Sequence, residues 1–274
     1  MQQFERAGLT FDVRDGGPQD GEPVILLHGF PQDSTCWREV EPLLHAGGLR
    51  TLAPDQRGSS PGARPRGRAA YRGQELVDDV LALLDAAGLE SAHVVGHDWG
   101  GFVAWQLAGL HSQRVRTLTV LSTPHPRALI AAMKRSQQGL KSWYMLFFQL
   151  PVLPELLIRR RRLQALLQRS GLPPEFAAHN AARMREPGAL TAALNWYRAI
   201  PLGLRTPQPR SPVPTTYLWG ARDAYLGRTA AELTAAYVKI PDYRFLELPA
   251  AGHWLPETHP TQVAESILAR VSTA

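Results

Sequence analysis

The sequence predicts an α/β protein with a parallel sheet and one helical insertion. Three observations carry this. Short apolar runs alternate with amphipathic helical segments through the first half, as βαβ units require. The alternation stops after Ser122-Thr123-Pro124-His125-Pro126, and residues 128–205 hold helical patterns without a convincing strand. It resumes at Thr215 and continues nearly to the end.

Taken in order, Leu9 to Val13 alternates with period two and reads as an edge strand. Val24 to Leu27 is continuously apolar, as in a strand buried on both faces. It ends in His28-Gly29-Phe30-Pro31, a sharp bend at a strand's carboxyl end, where open α/β sheets bind ligands. The Phe30 N–H is expected to point into a site. A helix follows over Trp37 to Ala46, then a strand over Arg50 to Pro54. Asp55 to Gly73 reads as loop. From Gln74 to Ala87, Leu76, Val77, Val80, Leu83 and Leu84 recur at helical spacing, with Gly88 as a stop. Ala92 to Val95 is a strand, Phe102 to Leu110 a helix and Val115 to Leu121 a strand. After the insertion come a strand at Thr215 to Trp219, a helix at Arg228 to Val238, a strand at Arg244 to Leu248 and a helix at Pro260 to Val271. Prolines bound the insertion on both sides. The expected division is a core of residues 1–127 with 206–274 and a cap of residues 128–205.

Composition bounds the function classes. The 274 residues are 44% hydrophobic and 20% charged, as in ordinary globular proteins. Single Cys36 leaves no internal disulfide, and the N-terminus shows no apolar signal region, so a cytoplasmic location is expected. No apolar run is long enough to cross a membrane. The net charge of +6 invites a nucleic-acid reading. Against it, the arginines are scattered except at Arg159-Arg160-Arg161-Arg162, which lack interleaved aromatics and read as a solvated helix face. No nucleic-acid or membrane partner is expected.

The chemistry centres on Gly96-His97-Asp98-Trp99-Gly100-Gly101. A buried strand enters this turn and an apolar helix leaves it. Glycines two before and two after Asp98 allow a tight reversal that holds the central side chain outward, as in a nucleophile elbow. An Asp there also suits a plain N-cap. As a nucleophile, its carboxylate would attack an sp³ carbon and form an ester that water then cleaves. Two later strand ends supply a base and its orienter. Asp223 follows Leu218-Trp219-Gly220, and His253 follows Leu248-Pro249. The order nucleophile, acid, histidine matches that of such elbows. The backbone N–H groups of Phe30 and Trp99 are the expected oxyanion-hole donors. His97 reads as structural support.

Together, His28-Gly29-Phe30-Pro31, the Asp98 elbow, the Asp223 loop and Gly252-His253 resemble the epoxide hydrolase branch of the α/β-hydrolases over nearly the whole chain. That resemblance implies a mostly parallel eight-stranded sheet flanked by helices, with the cap inserted after the sixth strand. Two cap segments, Tyr144 with Phe148-Gln149-x-Pro151 and Asn195-Trp196-Tyr197, match the family's paired tyrosines, which donate to the epoxide oxygen. The implied reaction turns a largely apolar epoxide and water into a vicinal diol, with no metal or organic cofactor. Phe30, Trp99, His125, Phe148 and Trp254 are expected to contact substrate, and Met145, Leu146 and Phe147 to shape an apolar pocket. The resemblance also suggests a cis Phe30–Pro31 peptide, and Ser59 replaces the family's usual aromatic. The oligomeric state is open, with a homodimer among the expectations. Haloalkane dehalogenases share the Asp, the following Trp and the His, so they are the alternative. A non-catalytic binding protein on the same scaffold is a second, opposed by the complete five-residue set.

Overall fold

The computed structural model describes residues 1–159, 162–203, 206–239 and 242–273. Eight strands form one sheet: β1 (Gln3–Arg6), β2 (Leu9–Gly16), β3 (Glu22–Leu27), β4 (Leu49–Pro54), β5 (Ala92–His97), β6 (Val115–Leu121), β7 (Thr215–Gly220) and β8 (Tyr243–Leu248). Their spatial order is β1-β2-β4-β3-β5-β6-β7-β8. β2 pairs antiparallel with β1 and β4, and every other pairing is parallel.

The apolar run in β3 follows from two-sided burial. Ile25 and Leu27 join the core on one face, with α2 (Gly73–Ala86) and α3 (Trp99–Leu110). Val24 and Leu26 join the other, with α1 (Glu41–Ala46) and α13 (Pro260–Val271). Successive strand residues point to opposite faces, so both must be apolar when helices cover both. Two further helices complete the core, α11 (Arg228–Leu233) and α12 (Leu255–Thr258).

Between β6 and β7 the chain makes only helices among the described residues. These are α4 (Pro126–Arg135), α5 (Gln138–Lys141), α6 (Trp143–Phe147), α7 (Leu153–Arg159), α8 (Arg162–Arg169), α9 (Pro174–Arg183) and α10 (Ala189–Ala199), followed by a short 3₁₀ turn at Ile200–Gly203. They enclose their own apolar cluster, which includes Phe148, Leu167, Phe176, Leu190, Leu194 and Tyr197.

Several expectations need correction. The Leu9–Val13 strand is not at the edge: β1 lies outside it, pairing Phe4 with Phe11. β1 carries almost no sequence signal, with Phe4 its one apolar residue, yet that ring stacks on Phe11 at 4.7 Å. The Trp37–Ala46 helix is a 3₁₀ turn at Ser34–Trp37 and a separate α1. Pro42 lies in the first turn of α1, where its missing N–H is harmless, and not in a helix interior. The Arg228–Val238 helix likewise splits into α11 and a 3₁₀ turn at Thr234–Tyr237. Arg160 and Arg161 of the basic run lie outside the described residues.

Candidate active site

The elbow is built as its glycines demand. Asp98 takes φ 50° and ψ −119°, a backbone conformation that side chains rarely adopt. A methyl group at Gly96 would strike the Gly100 carbonyl, and one at Gly100 would strike that of Leu27. Asp98 occupies the N-cap position of α3, but its side chain makes no capping hydrogen bond. The carboxylate is instead turned to the face that holds His253 and Phe30. Thr123 Oγ1 donates to the Asp98 carbonyl at 2.8 Å and ties the elbow to the end of β6.

Three strand ends converge on that carboxylate. After β3, the Phe30 N–H donates to Asp98 Oδ1 at 2.7 Å, and the Phe30–Pro31 peptide is cis. After β8, His253 Nε2 stands 3.6 Å from Asp98 Oδ2. That is too long for a hydrogen bond, so their attraction is Coulombic. After β7, Asp223 Oδ2 accepts from His253 Nδ1 at 2.8 Å. Asp223 Oδ1 accepts from the N–H groups of Tyr225 and Leu226 at 2.7 and 2.9 Å. The side chains of Asp223 and His253 are 0% and 3% exposed, whereas Asp98 keeps 17%. The one carboxylate that would meet a ligand is the one left accessible.

Electrostatics follow from that geometry. Burial disfavours the Asp98 anion, but His253, His97 and the Phe30 N–H outweigh it, and its pKa falls below the usual carboxylate range. Burial alone would depress His253. Asp223 and Asp98 overcome this and raise its pKa well above the ordinary imidazole value. Each group thus favours the charged form of the other, the Asp98 anion and the His253 cation.

The cap contributes the opposite wall. Tyr144 and Tyr197 meet with ring centres 5.9 Å apart. Phe148 packs on Tyr197 at 5.0 Å and on Phe30 at 5.8 Å, and Trp99 packs on Tyr197 at 5.1 Å. Burial, then the Asp98 charge, pushes both phenol pKa values up, so both hydroxyls stay protonated donors. The motif neighbours explain how they are placed. Gln149 Nε2 donates to the Tyr197 carbonyl at 2.8 Å, and the Arg198 guanidinium donates to the Phe148 and Leu150 carbonyls. Trp196 Nε1 donates to the Arg57 carbonyl at 2.8 Å, fixing α10 to the core.

Trp254 stands edge-on to His253 at 5.0 Å, so Asp98, His253, Asp223, Phe30, Trp99, Tyr144, Tyr197, Phe148 and Trp254 share one cluster. His125 does not join it. Its Nδ1 caps α4 by accepting from the Arg127 N–H, its Nε2 meets the Pro209 carbonyl at 3.0 Å, and its ring stacks on Tyr237. It is a buried helix cap, not a pocket residue. Leu146 is corrected too: it is 77% exposed on the outer surface of α6.

Sequence reasoning missed a supporting layer. Tyr225 stands edge-on to His253 at 5.0 Å and to Tyr144 at 5.8 Å. The His253 carbonyl accepts from Ser122 Oγ at 2.7 Å and faces His97 Nε2 at 2.9 Å. Gln32 Oε1 accepts from the Gly29 N–H and faces His97 Nδ1, while its Nε2 donates to buried Glu257. None of these belongs to a spacing pattern, though Gln32 directly follows the His28–Pro31 motif. Among the described residues no group of three or more His, Cys, Asp or Glu could hold a metal ion.

Residues 22–260 match the family model of the alpha/beta hydrolase fold. The chain belongs to the α/β-hydrolase family, in the branch of the epoxide hydrolases. It is 37% identical to the AB hydrolase superfamily protein YfhM of Bacillus subtilis, over 95% of this chain and 94% of that one. It is 31% identical to Epoxide hydrolase A of Mycobacterium tuberculosis, again over 95% and 94%. Among solved structures, Epoxide Hydrolase A from Mycobacterium thermoresistibile superposes with a TM-score of 0.85 at 26% identity, covering 98% of this chain and 97% of that one. The α/β-hydrolase elbow, late acid and final histidine thus lie in the expected chain order.

Proposed function

We propose that this α/β-hydrolase is an epoxide hydrolase acting through an alkyl ester on Asp98. One arrangement supports the reading: a partly exposed carboxylate stands beside the buried His253–Asp223 pair, and its charge also reaches the two buried phenols. An Asp98 oxygen attacks an epoxide carbon and the ring C–O bond breaks. The oxygen leaves as an alkoxide and takes a proton from Tyr144 or Tyr197. Esterification removes the Asp98 charge, one of the two anions that hold His253 protonated. The His253 pKa then falls, so the base is created by the first step. The proton that His253 gives up restores the phenolate left by ring opening, so alkylation ends with neutral phenols and a neutral His253.

Neutral His253, held by Asp223, next takes a proton from water, and the hydroxide attacks the Asp98 ester carbonyl. The Phe30 and Trp99 N–H groups stabilise the resulting oxyanion; collapse breaks the ester C–O bond, and the diol oxygen takes the proton of the new carboxyl group, restoring the Asp98 carboxylate. The apolar wall of Phe30, Trp99, Phe148 and Trp254 suits a largely apolar epoxide. The division into a core of 1–127 with 206–274 and a cap of 128–205 belongs to the same proposal. So do the absence of a cofactor and the cytoplasmic location.

The test is a single turnover of styrene oxide in H₂¹⁸O. The expected result places ¹⁸O in the Asp98 carboxylate and unlabelled enzyme oxygen in the diol. Labelled diol with unlabelled Asp98 would mean direct attack by water and would sink the ester route. Absence of diol, with halide released from bromoalkanes, would make the enzyme a dehalogenase. Ligand binding with no product of either kind would leave a binding protein.

A further inference from the structure

We propose that the outer face of α4–α8 is a docking surface for an anionic lipid bilayer. The distribution of exposed apolar side chains points there. Among the described residues fourteen large hydrophobics are exposed, and eleven of them lie between Ile130 and Leu166. Soluble monomers seldom expose such a concentration without a use for it. Leu140 of α5, Trp143 and Leu146 of α6 and Leu150 just beyond are all exposed and lie three or four residues apart. Leu153, Leu156 and Leu157 of α7 repeat the spacing. The opposite sides of these helices carry Tyr144, Phe148 and Ile158 into the cap interior, so the exposed residues are surplus to the cap's own core.

Charge selects the occupant. Residues 126–170 contain nine Lys or Arg and a single acid, Glu155, a net +8 against +6 for the whole chain. All the excess positive charge of the protein is therefore in this segment. Glu155 does not offset it on the outside, because it is buried and paired with Arg198 of α10 at 2.7 Å. A second copy of this chain would set one basic segment against another, which disfavours self-association through this face. A nucleic acid would use the charge but leave the leucines in water. An anionic bilayer uses both, with Trp143 and the leucines at the headgroup boundary and Lys134 and Arg135 among lipid phosphates. Binding of this kind needs no membrane-spanning helix, and none of the described helices is long and apolar enough to be one. An apolar substrate would then be met where it concentrates, which rests on the proposed reaction; the docking itself does not.

The experiment is co-sedimentation of the full chain with two kinds of vesicle. One is phosphatidylcholine alone, and the other contains phosphatidylglycerol at about 30 mol %. The expected partition into the anionic vesicles is about tenfold or more above the neutral ones, falling as salt is raised. Two double variants remove one component each: W143Q with L156Q, and K134Q with R135Q. All four side chains are exposed, so folding should survive, with melting temperature as the check. Each pair should weaken anionic binding several-fold. Equal or negligible binding to both vesicles overturns the proposal. So does anionic binding that W143Q/L156Q leaves intact, which would be adsorption of a basic protein. Concentration-dependent dimers abolished by W143Q/L156Q would assign the face to a second copy instead.

Discussion

The core half of the candidate site and its cap half hold their polar atoms in opposite ways. In the core half, both oxygens of Asp223 are hydrogen-bonded and the His253 ring is fixed through Nδ1. Its backbone carbonyl is held by Ser122. Each group follows the carboxyl end of a parallel strand, β6, β7 or β8, so the sheet itself sets their spacing. In the cap half, Tyr144 and Tyr197 are surrounded chiefly by other rings. Edge-to-face contacts tolerate small shifts that directional hydrogen bonds do not. The contrast suits a division of labour in which the core fixes the reacting charges and the cap adjusts to the ligand.

The strongest test of that division lies in the core. Asp98→Ala should lower diol formation by at least about 10⁴-fold, since removing a nucleophile leaves only binding and orientation. His253→Gln should leave ring opening measurable but stop ester hydrolysis, so intact-protein mass spectrometry should find the alkyl-enzyme accumulating. Acid should imitate this variant. Asp98 has a depressed pKa and stays ionised as pH falls, whereas the esterified enzyme needs neutral His253. The burst of ester should therefore persist at a pH where steady turnover has fallen. Equal loss of both phases would contradict the roles assigned.

The cap half should respond more mildly. Tyr144→Phe or Tyr197→Phe alone should cost about 10- to 100-fold, because the remaining phenol still donates, and the double variant should cost more than either. Stopped-flow of the alkylation step separates this from an effect on hydrolysis. If the double variant still opened epoxides at the parent rate, the tyrosines would be packing residues.

How much of this was legible in the sequence divides along the same line. Asp98 and Asp223 could be found because each follows a recognisable apolar strand and His253 because it follows an alternating one, and chain order supplied the rest. The tyrosines could be found only through resemblance, since aromatic residues at helical spacing look alike whether they line a pocket or fill a core. His125 shows the opposite hazard. It too follows a strand tip, yet its two nitrogens are occupied by the Arg127 and Pro209 backbone. Glu257 and Ser122 were invisible because their partners lie far along the chain. Glu257, for instance, is 225 residues from Gln32. The exposed apolar residues of α5–α7 were written in the sequence, but leucines alone do not say which way a helix faces.

A smaller effect probes the stiffness of the core half. Ser122→Ala removes the hydroxyl that holds the His253 carbonyl. Losing one buried hydrogen bond of this kind costs about 1 kcal/mol, so kcat should fall about fivefold with KM little changed. A change in KM alone would mean that Ser122 supports the pocket and not the histidine.

The smallest effect concerns the join between the halves. On α9, His179 Nε2 meets Asp33 Oδ2 of the core at 2.7 Å, and Arg183 reaches both Asp33 and Asp55. The bond to Asp33 raises the His179 pKa, and buried Asp33 is held low by His179 and Thr35. Because the folded His179 pKa is raised, the pair contributes fully below the unfolded value of about 6.5 and is lost as pH rises through the folded one. His179 is 37% exposed, so screening keeps the contribution to a few tenths of a kcal/mol, up to about 1. His179→Gln should therefore lower the melting temperature by a few degrees near pH 5.5 and by less near pH 9. A deficit that grew with pH would mean the imidazole acts there as a neutral acceptor and packing group. Since Arg183 has its own bonds to Asp33 and Asp55, the cap should stay seated, and loss of His179 alone should leave the tyrosine wall in place.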